Sequence, residues 1–503
     1  MRGMTMSDDV KSRLYSAWGT MGVVAVFSLL NALIRRIAGP TLSMDDAKTA
    51  LFTQRWQWGY QPDNPPLFEW LLTALQTFMG NGIWGFLLLK YLGLCAAAYF
   101  MHVAVSAYTD RRVAFVTTIS AVLLYQIGWN FHQAFTHSAL LVPGVLAALV
   151  AGLAYLRAPT IARAAIFGAA AGISLLTKYN AALFLVPFLI SAAAAPETRK
   201  ALLNARSVLI LALMALILSP HIFWFLGQSS HYTETLDTTL GLAGGYWSRV
   251  GGGLETYLIS VLTFFLPWGL LALWLRPKGG IAWQWEELIL LRTSVIGLLA
   301  LLAAIFLAGI GNVSERYLIP VLLPGYIAMM TALLRVRPNT APQWLAASGA
   351  FAVLVMAIRI ATYVHPGPPL CDKCGEFIPY EALAARVGEV VPEGATLIVR
   401  EENTGGNMVR LFPHSKVRVF TSMLFDNPLT QHEDGRPCYL IWSEDMVYGV
   451  PLEESVEYAY TDPRTVMVTL PWRHFGERRQ TTWGITPITD EEKYAHFCTS
   501  ARP

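Results

Sequence analysis

Charge is what this sequence has least of. Only 14% of its 503 residues are Asp, Glu, Lys or Arg, against roughly 25% in an average soluble chain. Hydrophobic residues make up 54%. Residues 15–363 hold nearly all the long apolar runs, while the stretch from about Pro366 to Pro503 has the polarity of ordinary soluble protein. The chain therefore divides into a large membrane domain, 1–365, and a soluble C-terminal domain, 366–503. A net charge of +3, without a dense Lys/Arg patch interleaved with aromatics, argues against a nucleic-acid partner. Cysteine is scarce too. Of five, Cys95 lies in an apolar run and Cys371, Cys374, Cys438 and Cys498 lie in the C-terminal domain. The second CxxC of a four-thiol zinc site is missing. On an oxidising face the four would form disulfides, whose pairing cannot be read from sequence. No small-x-small cleavage site follows the first apolar run, Ser16 to Leu33, so it reads as an uncleaved span.

A helix needs about 20 mostly apolar residues to cross the hydrocarbon core. Spans are expected near 15–34, 83–106, 113–129, 138–156, 164–178, 181–195, 207–226, 256–275, 288–310, 317–334 and 343–363, about eleven or more in all. With the N-terminus in the cytoplasm beside Lys11 and Arg13, the cytoplasmic loops carry Arg111–Arg112, Arg157 with Arg163, Arg199–Lys200 with Arg206, Arg276 with Lys278, and Arg335 with Arg337. This satisfies the positive-inside rule. Arg35–Arg36 is the exception: it falls outside, where it could snorkel to the interface or serve an anionic ligand. An odd span count puts the C-terminal domain outside as well.

In that domain Thr396–Arg400, Lys416–Thr421, Cys438–Trp442 and Thr465–Thr469 read as strands, and Asn407–Phe412 and Tyr380–Val387 as helices. The alternation predicts a small α/β or α+β fold.

The first external loop, 35–82, contains Asp45–Asp46 and then Asn64-Pro65-Pro66-Leu67-Phe68-Glu69-Trp70-Leu71. Taken singly, these have ordinary structural readings. Acids favour a helix's first turn, and prolines favour its start. Together they resemble glycosyltransferase family 39 and its relatives, of the GT-C class: protein O-mannosyltransferases, the lipid A aminoarabinose transferase and rhizobial lipopolysaccharide sugar transferases. Those families place an acid pair after the first span and a Pro-Pro-Leu-x-x-Trp-Leu block some twenty residues later. Ser174-Leu175-Leu176-Thr177-Lys178-Tyr179, Ser219-Pro220-His221-Ile222-Phe223-Trp224 and Glu315-Arg316-Tyr317-Leu318-Ile319-Pro320 are similar to further family elements. The resemblance spans about residues 15–335. It departs at Asn64, where the aminoarabinose transferases have Lys, and at Phe135-Thr136-His137-Ser138, where many relatives have an Asp but some rhizobial ones look similar.

The resemblance implies a polytopic GT-C enzyme of a bacterial cytoplasmic (inner) membrane with its C-terminal domain in the periplasm. Such an enzyme moves a hexose or pentose from a polyprenyl-phosphate donor to lipid A, lipopolysaccharide, another glycoconjugate or a protein. Asp45, aligned with the family's first acid, would be the base, and Asp46 would position it. Lys178 and Arg316 would hold the donor phosphate, with Tyr317 donating a hydrogen bond and Arg55 and Asn64 as further donor-side candidates. Asp63 and His137 are candidate substrate contacts. Asp63 with His221 or His231 could hold a divalent cation. No other cofactor is expected. This topology rests on cytoplasmic cations alone, yet Asp45, Asp46, Asp63, His132, His137, Lys178, Arg316 and Tyr317 all fall on its external side. The competing reading is a transporter or flippase of a lipid-linked substrate, where membrane charges also mark pathways. The chain lacks the paired inverted repeat expected of one. A third reading is a lipid-binding scaffold with a degenerate site.

Overall fold

The computed structural model describes residues 8–133, 136–227, 240–371, 373–419, 436–443, 459, 461–491, 494, 497 and 498. They fall into two compact units. One comprises residues 1–31, 58–68 and 90–355, the other residues 32–57, 69–89 and 356–503.

The first unit is helical because an apolar chain in lipid must satisfy its own backbone. Every expected span meets a helix. Among the described residues seven helices are long and apolar enough to cross a bilayer, or eight if the bent pair Tyr179–Ala194 and Pro196–Leu202 is one span. The difference from eleven lies in short and broken elements. The expected span 113–129 is split into Arg111–Ser120, a 3-10 turn Ala121–Leu123 and Tyr125–Gly128. The expected span 256–275 is interrupted between Tyr246–Phe264 and Trp268–Trp274, where Pro267 cannot donate a helical hydrogen bond. Helix Ile161–Thr177 has 17 residues and Ala182–Ala194 has 13.

Helix Ile319–Val336 is buried along nearly its whole length and forms the centre of this unit. Helix Arg206–Leu226 instead exposes Val208, Leu211, Leu216 and Phe223, an apolar face suited to lipid tails. The two ends of the helices differ in chemistry. At one end Arg157 pairs with Glu286 at 2.8 Å and Arg335 with Glu287 at 2.6 Å. There too Arg206 donates to the Pro159 carbonyl, and Arg337 to the carbonyls of Leu275 and Arg276. Glu287 also closes a capping box with Gln284 at the start of helix Trp285–Ala308, tying ion pair and helix start together. These are the loops assigned to the cytoplasm. Lys178, Ser138 and Tyr317 sit at the opposite ends of the same helices.

In the second unit, strands β1 (Thr396–Val399), β2 (Lys416–Val419), β3 (Cys438–Ser443), β4 (Val466–Trp472) and β5 (Gly476–Pro487) form one sheet, ordered β2-β1-β3-β5-β4. β1 runs parallel to β2 and β3, while β5 is antiparallel to β3 and β4. Helices Tyr380–Val390 and Glu402–Leu411 accompany it. Each expected strand and helix meets an element, and residues 420–421 of the expected strand Lys416–Thr421 lie outside the described residues. β5 is the addition: its charged first half pairs only with β4, and its second half is buried between β3 and β4. The cysteines pair as Cys371–Cys374 and Cys438–Cys498, which commits all four thiols. Cys438 and Cys498 are buried in the domain core with Leu440, Trp442 and Phe497.

The segment after the first span is tied to this domain at three points. The Thr41 hydroxyl donates to the Ile378 carbonyl at 3.3 Å. The Asn407 amide spans Leu42, its Oδ1 accepting from the Leu42 N–H at 2.9 Å and its Nδ2 donating to the Leu42 carbonyl at 3.1 Å. The Gln54 amide does the same for Val417, covering part of the free edge of β2. Helix Met44–Phe52 lies between these anchors and packs on helix Glu402–Leu411. The approach is backbone to backbone: a Cβ at Gly406 would stand 2.0 Å from the Ala47 carbonyl oxygen. Glycine inside a helix costs about 1 kcal/mol, and here it admits that contact.

Three outcomes are expected. Replacing Cys438 and Cys498 by Ser removes a cross-link between residues 60 apart and should cost about 2–5 kcal/mol, read as a lower Tm. Thiol labelling of the intact, unreduced wild type should modify none of the four C-terminal cysteines. Asn407→Ala leaves the buried Leu42 N–H and C=O without that partner, at about 1–3 kcal/mol. Hydrogen exchange around residues 42–46 should speed up, and unchanged exchange there would contradict the anchoring.

Candidate active site

Helix Ile161–Thr177 ends at Lys178, whose backbone turns extended (φ −167°, ψ 140°) before the 3-10 turn Tyr179–Ala181. The break leaves the lysine at the mouth of the helix bundle. Its Nζ donates to the Ser138 hydroxyl at 3.0 Å, at the start of helix His137–Arg157. It also stands 5.5 Å from the centre of the Tyr317 ring, a cation–π contact. Tyr317 lies on the 3-10 turn Glu315–Leu318 that leads into the central helix. Asp63 and Arg316 both act electrostatically on the Tyr317 hydroxyl. The structure thus brings together Asp63, Lys178, Arg316 and Tyr317 from separate stretches of the sequence. Asn64, half-buried, follows Asp63 directly. An ammonium, a guanidinium and a phenol in one place suit a phosphate, which offers several acceptor oxygens.

His137 is buried next to Ser138. Its Nδ1 lies 3.2 Å from the Thr136 hydroxyl, and its ring centre lies 5.5 Å from that of Phe68 in the Pro-Pro block. His221 is buried as well. Its Nδ1 lies 3.1 Å from the Trp58 carbonyl and its Nε2 2.8 Å from the Tyr179 hydroxyl. A carbonyl only accepts, so Nδ1 carries the proton and Nε2 accepts from Tyr179. In this tautomer neither nitrogen is left for a metal, and the ring pins residue 58 of the first loop to the Lys178–Asn180 turn. Among the described residues no three His, Cys, Asp or Glu side chains group to hold a metal ion. His231 lies outside the described residues.

Asp45 and Asp46 belong to the second unit. They occupy the first turn of helix Met44–Phe52, with Ser43 at its N-cap position. Acids there suit the helix dipole. Asp46 is buried and receives the Ser43 hydroxyl at 3.5 Å, while Asp45 is half-buried. Arg55 is exposed, with no hydrogen bond or ion pair among the described residues.

Three participants are not singled out by the sequence reading. Ser138 holds the lysine. Asn130 donates to Glu315 at 3.4 Å, linking the neighbourhood of His132 to the Arg316 turn. Lys90 is buried in helix Ile83–Ser106 and donates to the Gln133 carbonyl. A cation inside an apolar span is the signal that marks Lys90. Ser138 and Asn130 carry none, because small polar residues are common at helix starts.

The family model described as dolichyl-phosphate-mannose-protein mannosyltransferase matches residues 63–224, which contain Asp63, His137, Lys178 and His221. Among curated proteins the chain is 28% identical over 422 residues to the lipopolysaccharide core galacturonosyltransferase RgtA of Rhizobium johnstonii, covering 78% of this chain and 80% of that one. It is 24% identical over 318 residues to RgtB of the same organism, a lipopolysaccharide core galacturonosyltransferase too, covering 61% and 64%. Among solved structures, ArnT from Cupriavidus metallidurans bound to undecaprenyl phosphate superposes with a TM-score of 0.60 at 14% identity, over 92% of this chain and 98% of that one. Its apo form gives 0.60 at 12% identity, with the same coverage. Motifs, family model, curated relatives and fold agree: this chain resembles the GT-C membrane glycosyltransferases of the family 39 type, and its fold is theirs.

Proposed function

We propose that this protein transfers a sugar from a polyprenyl-phosphate carrier to a lipopolysaccharide-core or lipid A acceptor, on the periplasmic side of a bacterial inner membrane. The observation that carries the reading is the Lys178–Ser138–Tyr317 arrangement, at the helix ends opposite the cationic loops. The positive-inside rule makes those loops cytoplasmic, so the Lys178 end faces the periplasm. The names of the relatives support the acceptor class, and the lipid bound to ArnT supports the donor class.

The chemistry is a single displacement. The acceptor hydroxyl oxygen attacks the anomeric carbon as its proton passes to the Asp45 carboxylate. The bond from the anomeric carbon to the phosphate oxygen breaks, and polyprenyl phosphate leaves as a monoester. Lys178 and Arg316 stabilise the charge gathering on that phosphate, and Tyr317 donates to it. Asp46, buried under Ser43, holds the turn that presents Asp45. The leaving group is stable, so it needs no strong general acid. Attack from the face opposite the phosphate inverts the anomeric configuration, by analogy with glycoside chemistry.

Asp45→Asn should lower kcat by about 10²–10⁴-fold while donor binding is kept. Lys178→Ala and Arg316→Ala should raise the donor KM more than the acceptor KM. Donor titrations showing an unchanged donor KM in both variants would remove these residues from the phosphate site. An Asp45→Asn enzyme of wild-type turnover would remove the base.

A further inference from the structure

The pair Arg35–Arg36 runs against the positive-inside bias, and the second unit surrounds it with further arginines. Arg35, at the end of helix Ala17–Ala38, is buried and donates to the carbonyls of Gly39 and Thr41. Arg473, at the end of β4, lies over the same glycine: a Cβ at Gly39 would stand 1.9 Å from its Nη1. Gly39 also has φ +149°, which side chains rarely adopt. Arg410, on helix Glu402–Leu411, adds a third guanidinium. Burial lowers its hold on its proton and Glu381 opposes this, while Arg35 and Arg36 add to the lowering.

Glu381 pairs with Arg410 at 2.5 Å. Among the described residues it is the one carboxylate paired with any of the four arginines. Arg35 is held by backbone carbonyls and Arg410 by Glu381. Arg36, exposed, and Arg473, half-buried, make no side-chain hydrogen bond or ion pair among the described residues. Among the described residues, three of these four guanidinium groups have no carboxylate paired with them. Concentrating like charges on a folded surface is unfavourable unless an anion joins them. A planar guanidinium matches a phosphate in two-point contact, and a phosphate offers more acceptor oxygens than a single carboxylate.

We propose that Arg36 and Arg473, backed by Arg35 and Arg410, form a binding site for a phosphate group borne by a lipid at the membrane surface. The phosphate could sit on the saccharide of a glycolipid or in a phospholipid headgroup. All four arginines belong to the second unit, and the proposal does not depend on the transferase reading.

The test uses the full chain in non-ionic detergent and native mass spectrometry, which counts bound lipids without turnover. The probes are bis-phosphorylated lipid A, the same lipid dephosphorylated, and phosphatidylglycerol. Arg36→Gln/Arg473→Gln should weaken binding of phosphorylated lipid A at least about tenfold, as for loss of charge-assisted hydrogen bonds, and leave the dephosphorylated form unchanged. Loss confined to lipid A assigns the saccharide phosphate, and equal loss for phosphatidylglycerol assigns a headgroup. Arg36→Gln alone alters an exposed side chain and should show part of the loss even if the double variant folds poorly. Unchanged affinity for both phosphorylated lipids, or equal weakening of the dephosphorylated form, would overturn the proposal.

Discussion

A bilayer offers no water to a peptide bond or a charge, and the arrangement of this molecule follows from that constraint. The backbone of the first unit closes its hydrogen bonds in helices, and many of its charged groups lie at the helix ends. At one end they are consumed in structure. Glu286 and Glu287 meet Arg157 and Arg335, while Arg206 and Arg337 cap carbonyls. At the other end lies a lysine that closes a helix, held by a hydroxyl and set over a tyrosine ring. Lys178 is half-buried, and partial desolvation of a cation is unfavourable, so its place there calls for a reason beyond stability.

The second unit solves a positioning problem. Helix Met44–Phe52 is short and carries two acids in its first turn. Helices of that length are marginal alone. Here one gains its place from Asn407, from Gln54 on the edge of β2 and from the close approach at Gly406. The C-terminal domain thus fixes the start of the first loop, and His221 separately fixes residue 58.

Much of this was legible beforehand because hydropathy and charge bias are strong signals. Each expected span met a helix, and the four strands read from β-branched and aromatic runs are there. Span continuity was less legible. The interruptions at Ala121–Leu123 and before Trp268 turn on a few residues within an apolar run, which a hydropathy window averages away. β5 was missed because Glu477, Arg478, Arg479 and Gln480 begin it, and they look like a loop until β4 is known to pair with them. Hydropathy marks where apolar spans end and contact marks what folds together, so residues 32–57 and 69–89 pack with the C-terminal unit although they lie before the break at 365. At the candidate site, charged residues in unusual places such as Lys178 and Arg316 stood out. Ser138, Asn130 and Asn407 act through geometry alone, which spacing in the chain does not carry.

The measurement that bears most directly on the central claim is the fate of the donor sugar in purified wild-type protein. Proteoliposomes would be supplied with a panel of polyprenyl-phosphate sugars and lipopolysaccharide-core acceptor, and product and anomeric configuration read by NMR. The account predicts one donor consumed, polyprenyl phosphate released and a glycolipid product of inverted configuration. A product of retained configuration would contradict the single displacement. Intact lipid-linked sugar delivered across the bilayer, with no product from any donor, would contradict the transferase itself.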